Sequence, residues 1–132
     1  MANRYTSTRE RSRSFTFEEA LSLGYAPDGG LFVPEKLPVV DEVALKEWSN
    51  LTYPELSAAV LRLFISTEEL SDPALAGICA STFEGFEDRD HAVPIVQLGS
   101  VYVAELFHGP TFCFKGTVNC CSPEHDRGFS SS

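Results

Sequence analysis

Three pairs of polar residues with the same spacing set where helices can begin in this chain. In each pair a Ser or Thr stands three residues before a Glu, so the two side chains can satisfy backbone N–H groups at a helix start. The pairs are Thr16 with Glu19, Thr52 with Glu55, and Ser66 with Glu69. They predict a helix over residues 15–23, a helix from residue 52 to about residue 65, and a single helical turn from Ser66.

Two aspartates indicate further helix starts. Asp41 predicts a helix that runs to about Trp48, and Asp72 predicts another with Pro73 at its first position. Apolar spacing predicts one buried face on the helix after Thr52, formed by Leu56, Val60, Leu63 and Phe64. The buried stripe predicted from Asp72 onward contains Leu75, Ile78, Cys79, Thr82 and Phe86.

Short apolar runs bounded by turn residues predict strands. Residues 27–30 read Pro-Asp-Gly-Gly, a strong turn sequence, and the apolar run 31–33 after it predicts a short strand. Residues 94–98 and 101–105 predict two strands that Gly99 and Ser100 join into a hairpin. The pattern therefore predicts an α/β fold, mostly helical, with a short hairpin after the helices.

Charge and composition exclude several classes of partner. The 132 residues carry a net charge of −9, which repels a phosphate backbone, so we expect no binding to nucleic acid. Hydrophobic residues make up 43%, enough for a core, but no apolar run approaches the ~20 residues of a membrane span. The N-terminus lacks the apolar stretch of a secretory signal, and Glu10 argues against a transit peptide in the Arg-rich residues 4–13. These features favour a cytoplasmic protein.

The cysteines do not indicate a metal site. The four are Cys79, Cys113, Cys120 and Cys121. Without an export signal we expect reduced thiols. Cys120 and Cys121 with His125 match no standard zinc spacing, so we predict no metal ion.

Lys115 is the residue with the most suggestive surroundings. It follows a predicted strand and a turn, and Phe112 and Phe114 stand beside it. An apolar environment disfavours the ammonium form of a lysine and leaves the neutral amine that Schiff-base chemistry needs. The alternative is a surface lysine whose methylene stem lies on apolar residues.

The stretch that ends at Lys115 is similar to the signature of threonine synthases. That signature reads E-L-F-H-G-P-T, two variable residues, then F-K-D, and this chain has the same letters from Glu105 to Thr111 and at Phe114 and Lys115. Other blocks of the family occur in the same order, namely Tyr5-x-Ser7-Thr8-Arg9, residues 17–20 and 26–34, and Trp48 with residues 51–53 and 55–56. The resemblance spans residues 4–115.

The resemblance implies a fold, a cofactor and a reaction. The fold is that of two-domain α/β enzymes of the tryptophan-synthase-β type (fold type II), which bind pyridoxal phosphate between their domains. Residues 1–104 would form the N-terminal domain and residues 105–115 the start of the cofactor domain. Threonine synthases convert O-phospho-L-homoserine and water into L-threonine and phosphate. Lys115 falls on the lysine that holds the cofactor and moves protons during this reaction.

The resemblance also suggests roles for three other residues. His108 and Thr111 would line the cofactor or substrate side, and a hydrogen-bonded structural histidine is the alternative for His108. Arg9 is a candidate for binding the substrate phosphate, because a guanidinium fits phosphate in bidentate fashion. Its alternative is a solvated surface charge. We expect the glycines of the 28–30 turn to be structural, and the resemblance leaves the oligomeric state open.

The sequence departs from the family at Gly116, where the family has an aspartate and then a helix. Residues 116–132 show no periodicity and are predicted to be disordered. We expect a truncated or mis-spliced gene product whose glycine-rich cofactor cradle would lie downstream, and which is inactive alone. Two alternatives remain open: a threonine-synthase-like phospho-lyase acting on another phosphorylated amino acid, and a non-catalytic fragment. Phe107 and Pro110 favour the true synthase over the first of these.

Overall fold

The computed structural model describes residues 3–88 and 90–114 of the chain. The helices are α1 (Phe17–Leu23), α2 (Glu42–Trp48), α3 (Tyr53–Arg62) and α4 (Asp72–Thr82). The strands are β1 (Tyr5–Ser7), β2 (Phe32–Pro34), β3 (Ile95–Leu98) and β4 (Val101–Ala104). Lys115 and the tail of residues 116–132, for which the sequence predicts disorder, lie outside the described residues.

The described residues form two compact units. The first contains the residues up to Asn50 together with Ala58–Leu75. The second contains Leu51–Ser57 and the residues from Ala76 onward.

A small sheet opens the first unit. β1 pairs antiparallel with β2, so that Tyr5 lies opposite Pro34. Tyr5 also exchanges two backbone hydrogen bonds with Phe15, of 2.9 and 2.8 Å. β1 was not predicted, because Tyr-Thr-Ser is too short and too polar to indicate a strand without knowledge of its partner.

The core of the first unit is aromatic. Its buried members are Tyr5, Phe15 and Ala20, with Phe17 and Phe32 packed against them. The rings of Phe15 and Phe32 meet edge to face with centroids 5.0 Å apart, a favoured arrangement of aromatic pairs. The hydroxyl of Tyr5 donates to the carbonyl of Phe64 at 3.0 Å, so the buried ring keeps a partner for its polar end.

Two predicted helix starts are confirmed in the first unit. At α1 the backbone N–H of Glu19 donates to Thr16 Oγ1 and the backbone N–H of Thr16 donates to Glu19 Oε2, which completes the capping box. The helix begins at Phe17, because Phe15 is held in the pairing with Tyr5. At α2 the backbone N–H of Ala44 donates to Asp41 Oδ1 at 2.8 Å, the predicted cap.

The predictions for α3 need two corrections. Glu55 accepts from the backbone N–H and from the hydroxyl of Thr52, both at 2.8 Å, so only half of the capping box is formed. The prediction of the buried face is also wrong, because Val60 is 38% exposed. Leu63 and Phe64 lie beyond the end of the helix. Their backbone N–H groups donate to the carbonyls three residues earlier, as in a 3₁₀ turn, so the α-helical spacing no longer applies to them.

The predicted stripe of α4 is correct in part. Leu75, Cys79 and Phe86 are buried, whereas Ile78 is 42% exposed. Asp72 is itself the first helical residue, so Pro73 stands second rather than first. The turn after the helix buries Phe83, which the stripe omitted, at 1% exposure.

Aromatic packing and a hairpin build the second unit. The buried residues Phe83, Phe86 and Ala92 form a cluster with Tyr53 against it. β3 and β4 pair antiparallel as predicted, and Gly99 at φ 63° takes the left-handed conformation that their two-residue turn requires. All eight residues of the two strands are exposed.

Candidate functional site

The stretch that precedes Lys115 continues directly from the hairpin. We call residues 105–114 the lysine loop and residues 83–88 the aromatic turn. The backbone N–H of Glu105 donates to the carbonyl of Pro94 at 2.9 Å, so the hairpin ladder fixes where the loop begins. Both segments belong to the second unit.

The lysine loop is packed on the aromatic turn through two glycines. A Cβ added to Gly109 would lie 3.0 Å from the ring of Phe86, a distance that real Cβ atoms seldom reach. A Cβ added to Gly85 would lie 3.6 Å from Pro110. Phe86 is 6% exposed, so the ring cannot retreat without opening the cluster behind it. Gly109 is therefore needed for the loop to approach this closely.

His108 lies between two carboxylates. Its Nε2 is 2.8 Å from Glu105 Oε2, and its Nδ1 is 3.5 Å from Glu87 Oε2. The hydrogen bond with Glu105 is the main reason that the pKa of His108 is raised above its ordinary value. The ring also stacks on Phe107 with centroids 4.6 Å apart. This arrangement favours the imidazolium form.

The last described residues of the loop are open to solvent. Thr111 is exposed, Phe112 is 82% exposed and Phe114 is 55% exposed. The flanking rings that were expected to surround Lys115 with apolar contacts are thus largely solvated. Phe112 has a φ of 51° and its N–H donates to the carbonyl of Gly109 at 2.9 Å. A positive φ is unusual for a bulky aromatic residue.

Arg9 lies in the first unit, on the turn of residues 28–30. Its Nη1 donates to the carbonyl of Asp28 at 3.2 Å, and a Cβ added to Gly29 would lie 3.3 Å from that nitrogen. Asp28 Oδ1 accepts from Ser7 Oγ and from the backbone N–H of Gly30, both at 2.8 Å. The bond from Gly30, followed by that from Ser7, holds the pKa of Asp28 below its ordinary value. The glycines of this turn are structural, as expected.

Three of the four predicted site residues lie in the described part of the chain, and they belong to different units. His108 and Thr111 share the lysine loop. Arg9 belongs to the other unit, and Lys115 lies outside the described residues. Sequence reasoning missed Glu87, which contacts His108 across 21 positions of chain, because no spacing rule connects the two.

Neither a metal cluster nor a membrane span is found in the described part of the chain. Within residues 3–88 and 90–114 no three His, Cys, Asp or Glu side chains group as metal ligands. Cys120, Cys121 and His125 lie outside those residues. No helix among the described residues is long and apolar enough to cross a bilayer.

Comparison with known proteins gives matches along most of the chain. Residues 4–83 match the family described as threonine synthase N terminus. Threonine synthase of Saccharomyces cerevisiae is 40% identical over 118 residues, which cover 84% of this chain and 23% of that protein. Threonine synthase-like 2 of Xenopus laevis is 42% identical over 122 residues, which cover 92% of this chain and 26% of that protein. The chain thus spans about a quarter of the length of the curated relatives it matches.

Solved structures show the same similarity. The crystal structure of threonine synthase from yeast has a TM-score of 0.81 and 36% identity, covering 89% of this chain and 25% of that one. The PLP-bound threonine synthase from Brucella melitensis has a TM-score of 0.83 and 30% identity, covering 91% of this chain and 26% of that one. These matches confirm the expected fold, a fragment of a fold type II enzyme.

Proposed function

The chain belongs to the family of threonine synthase N-terminal regions, and from this we propose that it supplies the N-terminal part of a pyridoxal-phosphate-dependent threonine synthase. The reaction would convert O-phospho-L-homoserine and water into L-threonine and phosphate. The lysine loop is the observation that carries this proposal. Its residues Glu105 to Thr111 have the letters of the family signature, and Gly109 holds the loop against Phe86 directly ahead of Lys115.

The loop has chemistry that fits pyridoxal phosphate. Within ten residues it offers the imidazole of His108, whose pKa is raised by its carboxylate partners, a hydroxyl at Thr111 and the exposed rings of Phe112 and Phe114. A phosphorylated aromatic ring needs hydrogen-bond donors, positive charge and apolar contacts. We therefore propose that Lys115 holds the cofactor and that His108 and Thr111 contribute to its site.

Each residue would have a different task. When bound, pyridoxal phosphate supplies the electron sink for proton removal from the substrate. Lys115 Nζ would move protons at Cα and then Cβ. Both nitrogens of His108 already face carboxylates, which offset the charge of an imidazolium, so this residue would act by ordering the loop. The exposed hydroxyl of Thr111 is the direct hydrogen-bonding group, and the guanidinium of Arg9 would bind the substrate phosphate.

The remaining assignments follow from this proposal. Residues 1–104 would be the N-terminal domain, residues 105–115 the start of the cofactor domain, and residues 116–132 a divergent tail. We place the protein in the cytoplasm, acting on a small molecule.

A second candidate function has comparable support. Threonine synthase-like 2 proteins of Xenopus laevis and Rattus norvegicus are 42% and 39% identical to the chain, against 40% for the yeast synthase. Overall identity therefore does not separate threonine synthases from threonine synthase-like 2 proteins, and we keep as the second candidate a threonine-synthase-like phospho-lyase acting on another phosphorylated amino acid. Phosphate release with formation of threonine supports the first, and phosphate release without threonine supports the second.

A chimera tests the function. Residues 4–115 replace the matching stretch of the yeast enzyme, and both threonine and phosphate are measured with O-phosphohomoserine as substrate. We expect the chimera to form threonine and Lys115→Ala to abolish it. Arg9→Gln should raise KM for the phosphorylated substrate, whereas Arg11→Gln, which removes an equal charge two residues away, should not. A Lys115→Ala chimera that still forms threonine would refute the assignment.

A further inference from the structure

Three consecutive residues of the lysine loop meet three consecutive residues of the aromatic turn in opposite chain directions. His108 faces Glu87, Gly109 lies on Phe86, and Pro110 lies on Gly85. The second and third of these contacts are apolar. They set how closely the segments approach, but apolar packing is non-directional and resists sliding poorly. The contact between His108 and Glu87 is the polar one of the three.

The charge state of His108 decides whether this polar contact exists. The charged groups facing the imidazole are Glu105 from its own loop, at 2.8 Å, and Glu87 from the turn, at 3.5 Å. An imidazolium donates from both nitrogens and can serve both carboxylates. A neutral imidazole has one N–H only, and its other nitrogen is an acceptor that repels a carboxylate. The single N–H of the neutral ring then donates to the closer partner, Glu105, and Glu87 loses its hydrogen bond to His108.

We propose that Glu87 is a positioning residue, which holds residues 108–110 in register with residues 85–87 through the imidazolium of His108 and so fixes the course of the described loop that precedes Lys115 in the sequence. Its importance for Lys115 rests on the function proposed above. Glu87 is 83% exposed at its side chain, so the contact contributes little to overall stability and acts on local geometry.

The pH dependence has a defined sign. The pKa of His108 is raised in the folded chain above its ordinary value of 6.5, chiefly by the hydrogen bond to Glu105 and further by Glu87. The contribution of the imidazolium to this contact is therefore fully present below pH 6.5 and is lost as the pH rises through the folded pKa.

The test uses the full chain and its Glu87→Gln variant, observed by NMR. Glu84→Gln is the matched control, because it removes the same charge from the same turn and Glu84 makes no ion pair among the described residues. Glu87→Asp is the rescue variant. We expect Glu87→Gln to lower the pKa of His108 and to speed amide exchange at Phe112 by about two- to fivefold, the range for one exposed ion pair. Glu84→Gln should do neither, and Glu87→Asp should restore part of both. Equal effects of the Glu84 and Glu87 variants would overturn the proposal.

A second measurement separates this proposal from the proposed function. The chimera of residues 4–115 with the yeast enzyme is incubated with pyridoxal phosphate, reduced with borohydride and digested, and the labelling rates of Lys115, Lys36 and Lys46 are compared. We expect the labelling rate of Lys115 to differ from its wild-type value in Glu87→Gln and to equal it in Glu84→Gln. An unchanged rate in Glu87→Gln overturns the positioning role. Labelling of Lys115 no faster than that of Lys36 and Lys46 contradicts the proposed function, and the NMR result then decides the role of Glu87 by itself.

Discussion

Gly30→Ala should be among the most damaging small substitutions in the first unit. The added Cβ would lie 2.2 Å from Ser7 Oγ, 3.0 Å from Asp28 Oδ1 and 3.1 Å from Thr8 Oγ1. Ser7 is 2% exposed, and its hydroxyl donates to Asp28 and accepts from the backbone N–H of Arg9. To make room the hydroxyl must turn away and give up both bonds.

The cost can be worked out from these contacts. Overpacking of a filled site costs about 1–3 kcal/mol, and each of the two lost hydrogen bonds of the buried hydroxyl adds about 1 kcal/mol. We therefore expect Gly30→Ala to lower the free energy of unfolding by about 3–5 kcal/mol. In a Ser7→Ala background the atom at 2.2 Å is absent, so the same substitution should cost only about 1 kcal/mol.

The assay is urea unfolding followed by the fluorescence of Trp48, the single tryptophan of the chain, which lies in the first unit. The four proteins of the cycle are the wild type, the two single variants and the double variant. If Gly30→Ala costs the same with and without the Ser7 hydroxyl, the contact between them does not limit this site and the reasoning is wrong.

Two further predictions concern single sites. Asp28→Asn should be less stable than the wild type at neutral pH, because the folded pKa of Asp28 is depressed. The difference in the free energy of unfolding should disappear as the pH falls below 3.8 and through the folded pKa, and unfolding midpoints measured across this range test it. Gly77→Ala should stabilise α4 by about 0.5–1 kcal/mol, because alanine favours helix and the added Cβ has nothing within 4 Å; thermal unfolding by circular dichroism measures the gain.

Local sequence rules found the features whose partners are near in the chain. The Thr16 and Glu19 box and the Asp41 cap join residues three apart, and Gly99 fixes the hairpin turn by its own conformation. Features made by distant partners were missed. β1 exists because β2 and Phe15 pair with it, and residues 5–7 carry no sign of either.

In the candidate site, too, the features with distant partners were the ones not predicted. Composition and spacing pointed to Lys115 only as a lysine beside aromatic residues, and resemblance to a family supplied its chemistry. Neither indicated that His108 would lie between Glu105 and Glu87, since the second contact depends on how the loop folds onto the turn. The exposure of Phe112 also ran against its apolar character, which predicts burial.

The hairpin has a consequence for how copies of the chain behave in solution. From Ile95 to Ala104 it contains no Asp, Glu, Lys or Arg, and its strands expose Val96, Leu98, Val101 and Val103. Uncharged β-rich segments of this kind are templates for intermolecular strand addition. The net charge of −9 opposes such contacts by repulsion between copies, and dissolved ions weaken that repulsion. Raising the ionic strength should therefore promote aggregation of the chain, and Tyr102→Lys should reduce that aggregation.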